Sequence, residues 1–291
     1  MANIILENET LKISITNKGA ALQSLYNKVT ELEYLWNGNK DFWAKQSPVL
    51  FPIIGGLKNN EYEYENRIYS LNRHGFARDN DFIAVQINDT KAVFTFGSNE
   101  KTEICYPFKF IFSVEYSIEN DTVFCKYNIE NKGQNVMYFS VGGHPAFNVP
   151  LTENTNFEDW FLHFNEIENC GVYPLTKDGL IKENSTAFFD SNNILPLKKS
   201  LFYGDALVFK ELKSTEISIK SSKVTNGLTM QFNNFPYFGI WSAKDADFVC
   251  LEPWCGIADR EDSNGNLINK QGIVKLDANN TFVNTWTIKL W

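Results

Sequence analysis

Two of the three histidines in this chain lie in surroundings that favour chemistry over a structural role. His74 precedes Gly75, and His144 follows Gly142-Gly143. We expect glycines beside a histidine to let the backbone approach a ligand closely and to leave the imidazole uncrowded. The third histidine, His163, lies in an aromatic segment without such neighbours, and we expect it to be structural.

One carboxylate has an equally unusual setting. Glu252 follows the apolar run Phe248-Val249-Cys250-Leu251 and precedes Pro253-Trp254. A carboxylate at the end of a buried strand is costly to desolvate unless it is paired or takes part in chemistry. Trp254, Trp241 and Phe147 offer aromatic faces on which the apolar face of a sugar ring can stack. An ion-paired structural glutamate and ordinary core aromatics are the alternatives.

Several familiar chemistries lack their motifs. The chain has no Gly-x-x-x-x-Gly-Lys-Ser/Thr loop, no Gly-x-Gly-x-x-Gly fingerprint and no His-Glu-x-x-His pair. Its five cysteines are scattered without zinc-like spacing, and we expect them to be reduced thiols. A Ser/His/Asp nucleophile set stays open, although no Gly-x-Ser-x-Gly elbow is present. The sequence therefore predicts neither a metal nor a cofactor.

The composition restricts the classes of partner. The net charge of −8 comes from 35 acidic and 27 basic residues without charged blocks, which argues against nucleic acid or an anionic membrane as the partner. Residues 1–20 show no signal-peptide pattern, and no apolar run approaches the ~20 residues that span a bilayer. We expect a soluble cytoplasmic protein, and the composition leaves a monomer and a homodimer open.

Alternating hydrophobicity predicts strands along the whole chain. The clearest hairpin joins Phe110–Ile118 to Val123–Ile129 through the turn Glu119-Asn120-Asp121. Phe157–Phe164 fits both a helical and a strand period, and we leave it undecided. Further strands are predicted at Leu11–Ile15, Val93–Phe96, Ile217–Ile219, Leu228–Phe232 and Phe282–Leu290. No linker divides residues 1–291, so we predict one all-β domain, an antiparallel sandwich or barrel.

An ordered set of short segments resembles the galactose mutarotase-like superfamily of aldose 1-epimerases, and most closely its LacX-like branch. The segments are Pro48–Gly55, His74–Arg78, Gly142–Phe147, Asp205–Leu207, Phe235–Tyr237 and Leu251–Trp254. Each segment alone is weakly specific, but they occur in the family's order. The resemblance implies an antiparallel β-supersandwich with a concave sugar-binding face.

The resemblance also implies roles for individual residues. His144 matches the catalytic acid, and Glu252 matches the catalytic base, which together open and reclose the sugar ring without a metal or cofactor. His74 matches a histidine that contacts sugar hydroxyls, and Asp205 an acidic residue that binds ring hydroxyls. Arg78 is a candidate for contacting a substrate hydroxyl or phosphate. The implied ligand is a monosaccharide, either a free aldose or a sugar phosphate.

One position departs from the family pattern. Relatives read Phe-Pro-x-x-Gly-Arg-Leu where this chain reads Phe51-Pro52-Ile53-Ile54-Gly55-Gly56-Leu57, so Gly56 stands in place of an arginine that usually binds sugar. A planar side chain with several hydrogen-bond donors is thereby lost. Lys58, Arg73 and Arg78 are the candidates to compensate.

Two other functions stay open at this stage. A non-catalytic sugar-binding or regulatory protein is one, and Gly56 is the best argument for it. A glycoside hydrolase is the other, and it requires a second carboxylate about 5–10 Å from the first. Asp205, Asp259 and Glu261 are the candidates for that second carboxylate.

Overall fold

The computed structural model describes residues 3–291, and within them the chain folds almost entirely into strands. The first twelve are β1 Asn3–Glu7, β2 Leu11–Thr16, β3 Leu22–Asn27, β4 Leu32–Glu33, β5 Val49–Leu50, β6 Glu61–Tyr64, β7 Arg67–Ser70, β8 Ile83–Asn88, β9 Lys91–Gly97, β10 Phe110–Glu119, β11 Thr122–Asn131 and β12 Met137–Phe139. The others are β13 Val141–Gly143, β14 Ala146–Asn148, β15 Trp160–Glu168, β16 Gly171–Val172, β17 Thr186–Ala187, β18 Asn192–Pro196, β19 Leu207–Phe209, β20 Glu216–Ser221, β21 Leu228–Gln231, β22 Tyr237–Trp241, β23 Phe248–Cys255, β24 Val274–Leu276 and β25 Thr281–Leu290.

The helices are short. The α-helix α1 spans Glu100–Cys105, and 3-10 turns occupy Lys58–Asn60, Ala77–Asp79, Phe157–Asp159, Lys199–Phe202 and Leu267–Asn269. Asn99 caps α1, because its side chain accepts hydrogen bonds from the backbone N–H groups of Lys101 and Thr102. None of the helices in residues 3–291 has the length and apolarity needed to cross a membrane.

Two large sheets dominate the architecture. A nine-stranded sheet has the order β18-β15-β20-β21-β25-β11-β10-β9-β8, and a six-stranded sheet has the order β19-β22-β23-β13-β5 with β14 also paired to β23. A four-stranded sheet, β1-β2-β3-β4, and three two-stranded ribbons complete the described part of the chain. Every pair of named strands is antiparallel, so the predicted all-β antiparallel class is confirmed.

The predicted hairpin forms the centre of the nine-stranded sheet. β10 and β11 pair from Phe110 with Asn131 to Glu119 with Thr122, so the turn lies where the polar residues predicted it. Alternate residues of both strands are buried, as the period of two requires when one face covers a core. The segment Phe157–Phe164, whose pattern fits both a helical and a strand period, contains both kinds of structure. Phe157–Asp159 is a 3-10 turn, and Trp160–Glu168 is strand β15.

Aromatic side chains fill the space between the two large sheets. Phe51, which directly follows β5, packs on Phe112 of β10 with ring centroids 4.8 Å apart. Phe238 of β22 packs at 4.3 Å on Phe232, which directly follows β21 of the nine-stranded sheet. Within the nine-stranded sheet, the Trp286 indole of β25 donates to the Tyr127 hydroxyl at 2.8 Å, and a Cβ atom on Gly143 of β13 would lie 3.0 Å from this indole. Truncating a buried ring of this kind costs about 3–5 kcal/mol, so these contacts hold the six-stranded sheet firmly in place.

A buried ion pair ties three segments together beside the six-stranded sheet. Lys270 Nζ lies 2.7 Å from Asp259 Oδ1, and each side chain is only 3% exposed. The other carboxylate oxygen of Asp259 accepts a hydrogen bond from the Lys58 backbone at 3.0 Å. The backbone N–H of Asp259 donates to the Gly56 carbonyl at 2.9 Å. The position of residues 56–58 therefore depends on this carboxylate.

We predict that Lys270→Met lowers the free energy of unfolding by about 3–5 kcal/mol, because it leaves the Asp259 carboxylate buried without its countercharge. Lys289→Met is the matched control, since Lys289 is 57% exposed and lies 3.6 Å from Asp121. An exposed pair of this kind contributes at most about 1 kcal/mol. Urea denaturation of both variants measures the difference, and equal losses would contradict the assigned role of the buried pair.

Candidate active site

A cavity of about 560 Å³ opens beside β22 and β23 of the six-stranded sheet. This volume falls in the range of roughly 300–1,000 Å³ that small-molecule sites occupy. The lining residues are Trp43, Ile54, Gly55, Arg73, His74, Arg78, His144, Leu175, Gly179, Ile181, Tyr203, Gly204, Asp205, Ala206, Val208, Trp241, Glu252, Trp254 and Ala258. Six of the seven predicted site residues are among them: His144, Glu252, His74, Arg78, Asp205 and Trp254.

Strand register brings His144 and Glu252 together although 108 positions separate them. On one side of His144, Gly142 of β13 pairs with Trp254 of β23. On the other side, Ala146 of β14 pairs with Cys250 of the same strand. His144 therefore lies opposite the centre of β23, where Glu252 is found. Its Nε2 is 3.2 Å from Glu252 Oε2.

Burial dominates the electrostatics of this pair. The side chains of His144 and Glu252 are 10% and 2% exposed. Loss of hydration disfavours the charged form of each group, so burial lowers the pKa of His144 to about 3 and raises the pKa of Glu252 well above 4.5. The positive charge of Arg73 partly counters the shift at Glu252. In the free protein the proton of the pair is therefore favoured on the carboxyl group.

Both groups keep hydrogen-bonding capacity for a ligand. His144 Nδ1 and Glu252 Oε2 are buried and have no hydrogen-bond partner among residues 3–291. Leaving a buried polar atom unpaired costs about 1–3 kcal/mol, so such atoms are few in folded proteins. Hydroxyl groups can satisfy such atoms, because each hydroxyl both donates and accepts.

His74 has a defined tautomer. The backbone N–H of Gly55 donates to His74 Nδ1 at 3.1 Å, so the ring proton is assigned to Nε2. Burial, reinforced by the charges of His144, Arg73 and Arg78, lowers the pKa of His74 well below 6.5. The neutral ring lies 5.8 Å from that of His144, measured between centroids. It can therefore donate one hydrogen bond from Nε2 toward the cavity.

Arg78 and Asp205 lie on the polar side of the cavity. Arg78 donates from Nη2 to the Arg73 carbonyl at 2.8 Å, and its Nε lies 3.6 Å from Asp79. Asp205 accepts a hydrogen bond from the Ala206 backbone at 2.7 Å. The backbone φ of Asp205 is +109°, a conformation that L residues rarely adopt. Surrounding structure must hold such a residue in place, as is common at ligand sites.

Three tryptophans form aromatic walls. Trp254 lies directly over Gly239, where a Cβ atom would meet its indole at 2.5 Å. Trp43 stacks on the His144 ring at 4.9 Å, and Trp241 meets the same ring edge-on at 5.7 Å. Sequence reasoning named Trp254 and Trp241 but missed Trp43. A tryptophan in the polar stretch that precedes β5, outside any strand pattern, was the available signal.

Phe147 does not line the cavity, so the expectation that it contacts sugar is wrong. It is fully buried in the main core, on β14. Successive strand residues face opposite sides, and the neighbouring Ala146 packs instead in the small cluster beside Trp43 and Trp241. A strand that presents Ala146 toward the site must direct Phe147 between the sheets.

The glycines near the two histidines serve protein packing rather than ligand approach. A Cβ at Gly142 would lie 2.7 Å from the Pro253 carbonyl, and one at Gly143 would lie 3.0 Å from the Trp286 indole. Gly75 has φ +69°, and a Cβ there would lie 2.4 Å from the Phe51 carbonyl. These glycines let the backbone on either side of the site pack closely, and they position the imidazoles indirectly.

One group of potential metal ligands occurs among residues 3–291: a nitrogen of His144, Cys250 Sγ and a Glu252 oxygen lie within 4.8 Å of one another. Burial raises the pKa of the Cys250 thiol well above 9.0 and raises that of Glu252. A cation requires both groups in their deprotonated forms. The neutral forms that burial favours for Cys250 and Glu252 are poor metal ligands. All five cysteines are free thiols.

Comparison with known proteins places this geometry in context. Residues 3–272 match the family model for aldose 1-epimerase. The chromosomal protein LacX of Lactococcus lactis subsp. lactis is 32% identical over 284 residues, with 94% of each chain covered.

Solved structures agree with that match. A galactose mutarotase related enzyme from Lactobacillus acidophilus superposes with a TM-score of 0.95 at 33% identity, over 100% of this chain and 97% of that one. A galactose mutarotase-like protein from Lactobacillus casei superposes with a TM-score of 0.92 at 29% identity, over 100% of both chains. The fold is thus the galactose mutarotase-like fold, and the chain belongs to the aldose 1-epimerase family.

Proposed function

We propose that this protein is an aldose 1-epimerase that interconverts the α and β anomers of a monosaccharide by general acid–base catalysis. The observation that carries the proposal is the 3.2 Å approach of His144 to Glu252 in a cavity of monosaccharide size. Family membership supports the same activity. Anomerisation requires one proton to leave O1 and another to reach the ring oxygen, so one base and one acid suffice.

Each step moves protons between the pair and the sugar. The Glu252 carboxylate accepts the proton of the O1 hydroxyl, the C1–O1 bond becomes a carbonyl and the C1–O5 bond breaks. The His144 imidazolium gives its proton to O5. The C1–C2 bond then rotates, O5 attacks the other face of C1, and both protons return to their original groups. His144 and Glu252 therefore end the reaction in the protonation states in which they began it.

The active form of the pair holds one shared proton. Burial favours this proton on Glu252, whereas catalysis begins with the proton on His144. In the proposed mechanism, one form converts into the other when the two groups, whose Nε2 and Oε2 atoms lie 3.2 Å apart, come into hydrogen-bond alignment. The charge of Arg73, which lowers the pKa of Glu252, favours the carboxylate form. Sugar hydroxyls that donate to the carboxylate add to this effect.

The remaining cavity residues hold the ring. His74 donates from Nε2, Asp205 accepts from a hydroxyl, and Arg78 lies on the same polar side. Trp254 and Trp43 provide flat apolar surfaces for the carbon face of the sugar. A ring fixed in this way loses little further orientational entropy on reaching the transition state.

The two rival functions have less support. Of the three candidate second carboxylates for a hydrolase, Asp259 is ion-paired with Lys270 and, like Glu261, does not line the cavity. Only Asp205 shares the cavity with Glu252. A purely sugar-binding protein has no need for two buried, mutually facing titratable groups. Assays of mutarotation, sugar binding and disaccharide hydrolysis distinguish both rivals from an epimerase.

We predict that His144→Ala and Glu252→Gln each slow mutarotation by about 10²–10⁴-fold, because each removes one partner of the proton transfer. Polarimetry of freshly dissolved α-glucose and α-galactose measures the rate above the spontaneous reaction. His163→Ala is the matched control. His163 lies on β15, does not line the cavity, and should leave the rate unchanged.

The same experiment separates the alternatives. Equal rates for the wild type and both cavity variants would reject the acid–base assignment. Thermal stabilisation by sugar without acceleration in the wild type would identify a binding protein. Release of reducing sugar from a disaccharide would identify a hydrolase.

We predict a bell-shaped pH profile of kcat/KM whose acid limb lies well below pH 6.5. Lowering the pH adds a second proton to the pair, and this proton must enter His144, whose pKa burial lowers to about 3. Raising the pH removes the shared proton, which Glu252 holds with a pKa raised above 4.5. The alkaline limb therefore reports the carboxyl group.

Initial rates from about pH 3 to pH 9, corrected for the spontaneous reaction, test this order of titration. Glu252→Gln should abolish the alkaline limb in whatever activity remains. An acid limb centred near pH 6.5 would show that His144 titrates like an exposed imidazole, contrary to its burial.

A further inference from the structure

Of the three cations that could compensate for Gly56, two are directed elsewhere. Lys58 does not line the cavity, and its ammonium group donates to the Ser263 carbonyl at 3.1 Å. Arg78 lines the cavity, but its Nη2 donates to the Arg73 carbonyl, and its Nε is buried 3.6 Å from Asp79 without a hydrogen-bond partner. The Arg73 side chain is 45% exposed, and its guanidinium makes no hydrogen bond with residues 3–291. Arg73 is therefore the cavity cation whose guanidinium is both exposed and entirely free of hydrogen bonds to the described residues.

A glycine positions this guanidinium. A Cβ at Gly179 would lie 3.0 Å from Cζ and Nη1 of Arg73, so the planar group packs on the bare backbone of the turn at 176–180. The Gly179 N–H donates to the Thr176 carbonyl at 2.9 Å, which closes that turn. A Cβ at Gly56 would point at the same turn, 3.6 Å from the Asp178 carbonyl. Side chains at positions 56 and 73 would therefore reach the same region of the cavity, beside the turn at 176–180.

A carboxylate lies next to the free donors. Asp205 Oδ2 is 3.8 Å from Arg73 Nη2, too far for a hydrogen bond but close enough for both groups to contact one ligand. The other oxygen, Oδ1, accepts from the Ala206 backbone and thereby fixes the carboxylate. Arg73 only donates and an ionised Asp205 only accepts. Two adjacent hydroxyls match this pair, because one can accept from Arg73 while the other donates to Asp205.

We propose that Arg73 and Asp205 form a clamp for two adjacent hydroxyls of an uncharged aldose, with Arg73 as the specificity-determining residue. The inference rests on the proposed function and names its substrate class. Both cavity arginines already face a carboxylate, Arg73 at 3.8 Å from Asp205 and Arg78 at 3.6 Å from Asp79. A phosphate dianion at the clamp would be repelled by the Asp205 carboxylate. The clamp thus selects a free aldose over a sugar phosphate.

We predict that Arg73→Ala raises KM for the aldose by about 10–100-fold and changes kcat by less than about threefold. Loss of a hydrogen bond from a charged donor weakens binding by roughly this factor. Because the clamp contacts hydroxyls that do not react, its loss should weaken binding of the substrate and of the transition state equally. Lys58→Ala is the control for charge near the cavity and should leave KM unchanged. A merely structural role for Arg73 would lower thermal stability and kcat without a selective rise in KM.

Gly179→Ala tests the placement of Arg73 without changing its charge. The added methyl group displaces the guanidinium and should raise KM as Arg73→Ala does. Gly265→Ala is the matched control, because Gly179 and Gly265 have φ of +74° and +77°, whereas a Cβ at Gly265 meets nothing within 4 Å. Backbone strain is therefore similar in both variants. An equal KM in the two alanine variants would contradict the proposed placement.

Calorimetric titration with glucose, galactose and their 6-phosphates decides the substrate class. We expect the free sugars to bind at least as tightly as the phosphates in the wild type, and Arg73→Ala to weaken the free sugars. Phosphates that bind more than tenfold tighter in the wild type, with the difference lost in Arg73→Ala, would overturn the clamp in favour of an anion site.

The failures of the two proposals are distinguishable. Acceleration of mutarotation with KM and affinity unchanged in Arg73→Ala rejects the clamp alone. Binding that depends on Arg73, without acceleration, rejects the epimerase alone. A wild type that neither binds these sugars nor accelerates mutarotation rejects both.

Discussion

The candidate site depends on one constraint, the pairing of β23 with both β13 and β14. The two short strands contact the same long strand on either side of His144, which forces that imidazole against Glu252. Glycines without room for a side chain allow the close approach, and aromatic packing on the nine-stranded sheet holds the whole arrangement. A slip of one residue on β23 would turn Glu252 to the opposite face of the sheet.

That pairing also sets the electrostatics. Two titratable groups forced together away from water each prefer the neutral form, so burial lowers the pKa of His144 to about 3 and raises the pKa of Glu252 well above 4.5. In the proposed mechanism, these two groups lie 3.2 Å apart, hold one proton between them, and act as acid in one direction and as base in the other. Reversible ring opening requires this symmetry, and burial supplies it without a metal or cofactor in the proposed mechanism.

The sequence was informative where a local rule decides the structure. Alternation placed β10, the turn and β11 correctly, because one face of that hairpin covers the core. It failed at Phe147, whose aromatic ring suggested a stacking surface for a sugar, whereas the strand period directs the ring into the core. It missed Trp43, since a loop residue reaches His144 only through folding of distant segments. The undecided segment at 157–164 contains both a 3-10 turn and a strand, which no single period describes.

The sequence by itself therefore determined the all-β class, and six of the seven site residues that it proposed line the cavity, because burial pattern and unusual neighbours are local properties. Only the tertiary structure decided that His144 meets Glu252, that Arg73 presents an exposed guanidinium without hydrogen bonds to the described residues, and that Phe147 faces away. Those outcomes depend on strand register and on which backbone atoms approach each other. Neither is encoded at any one position in the chain.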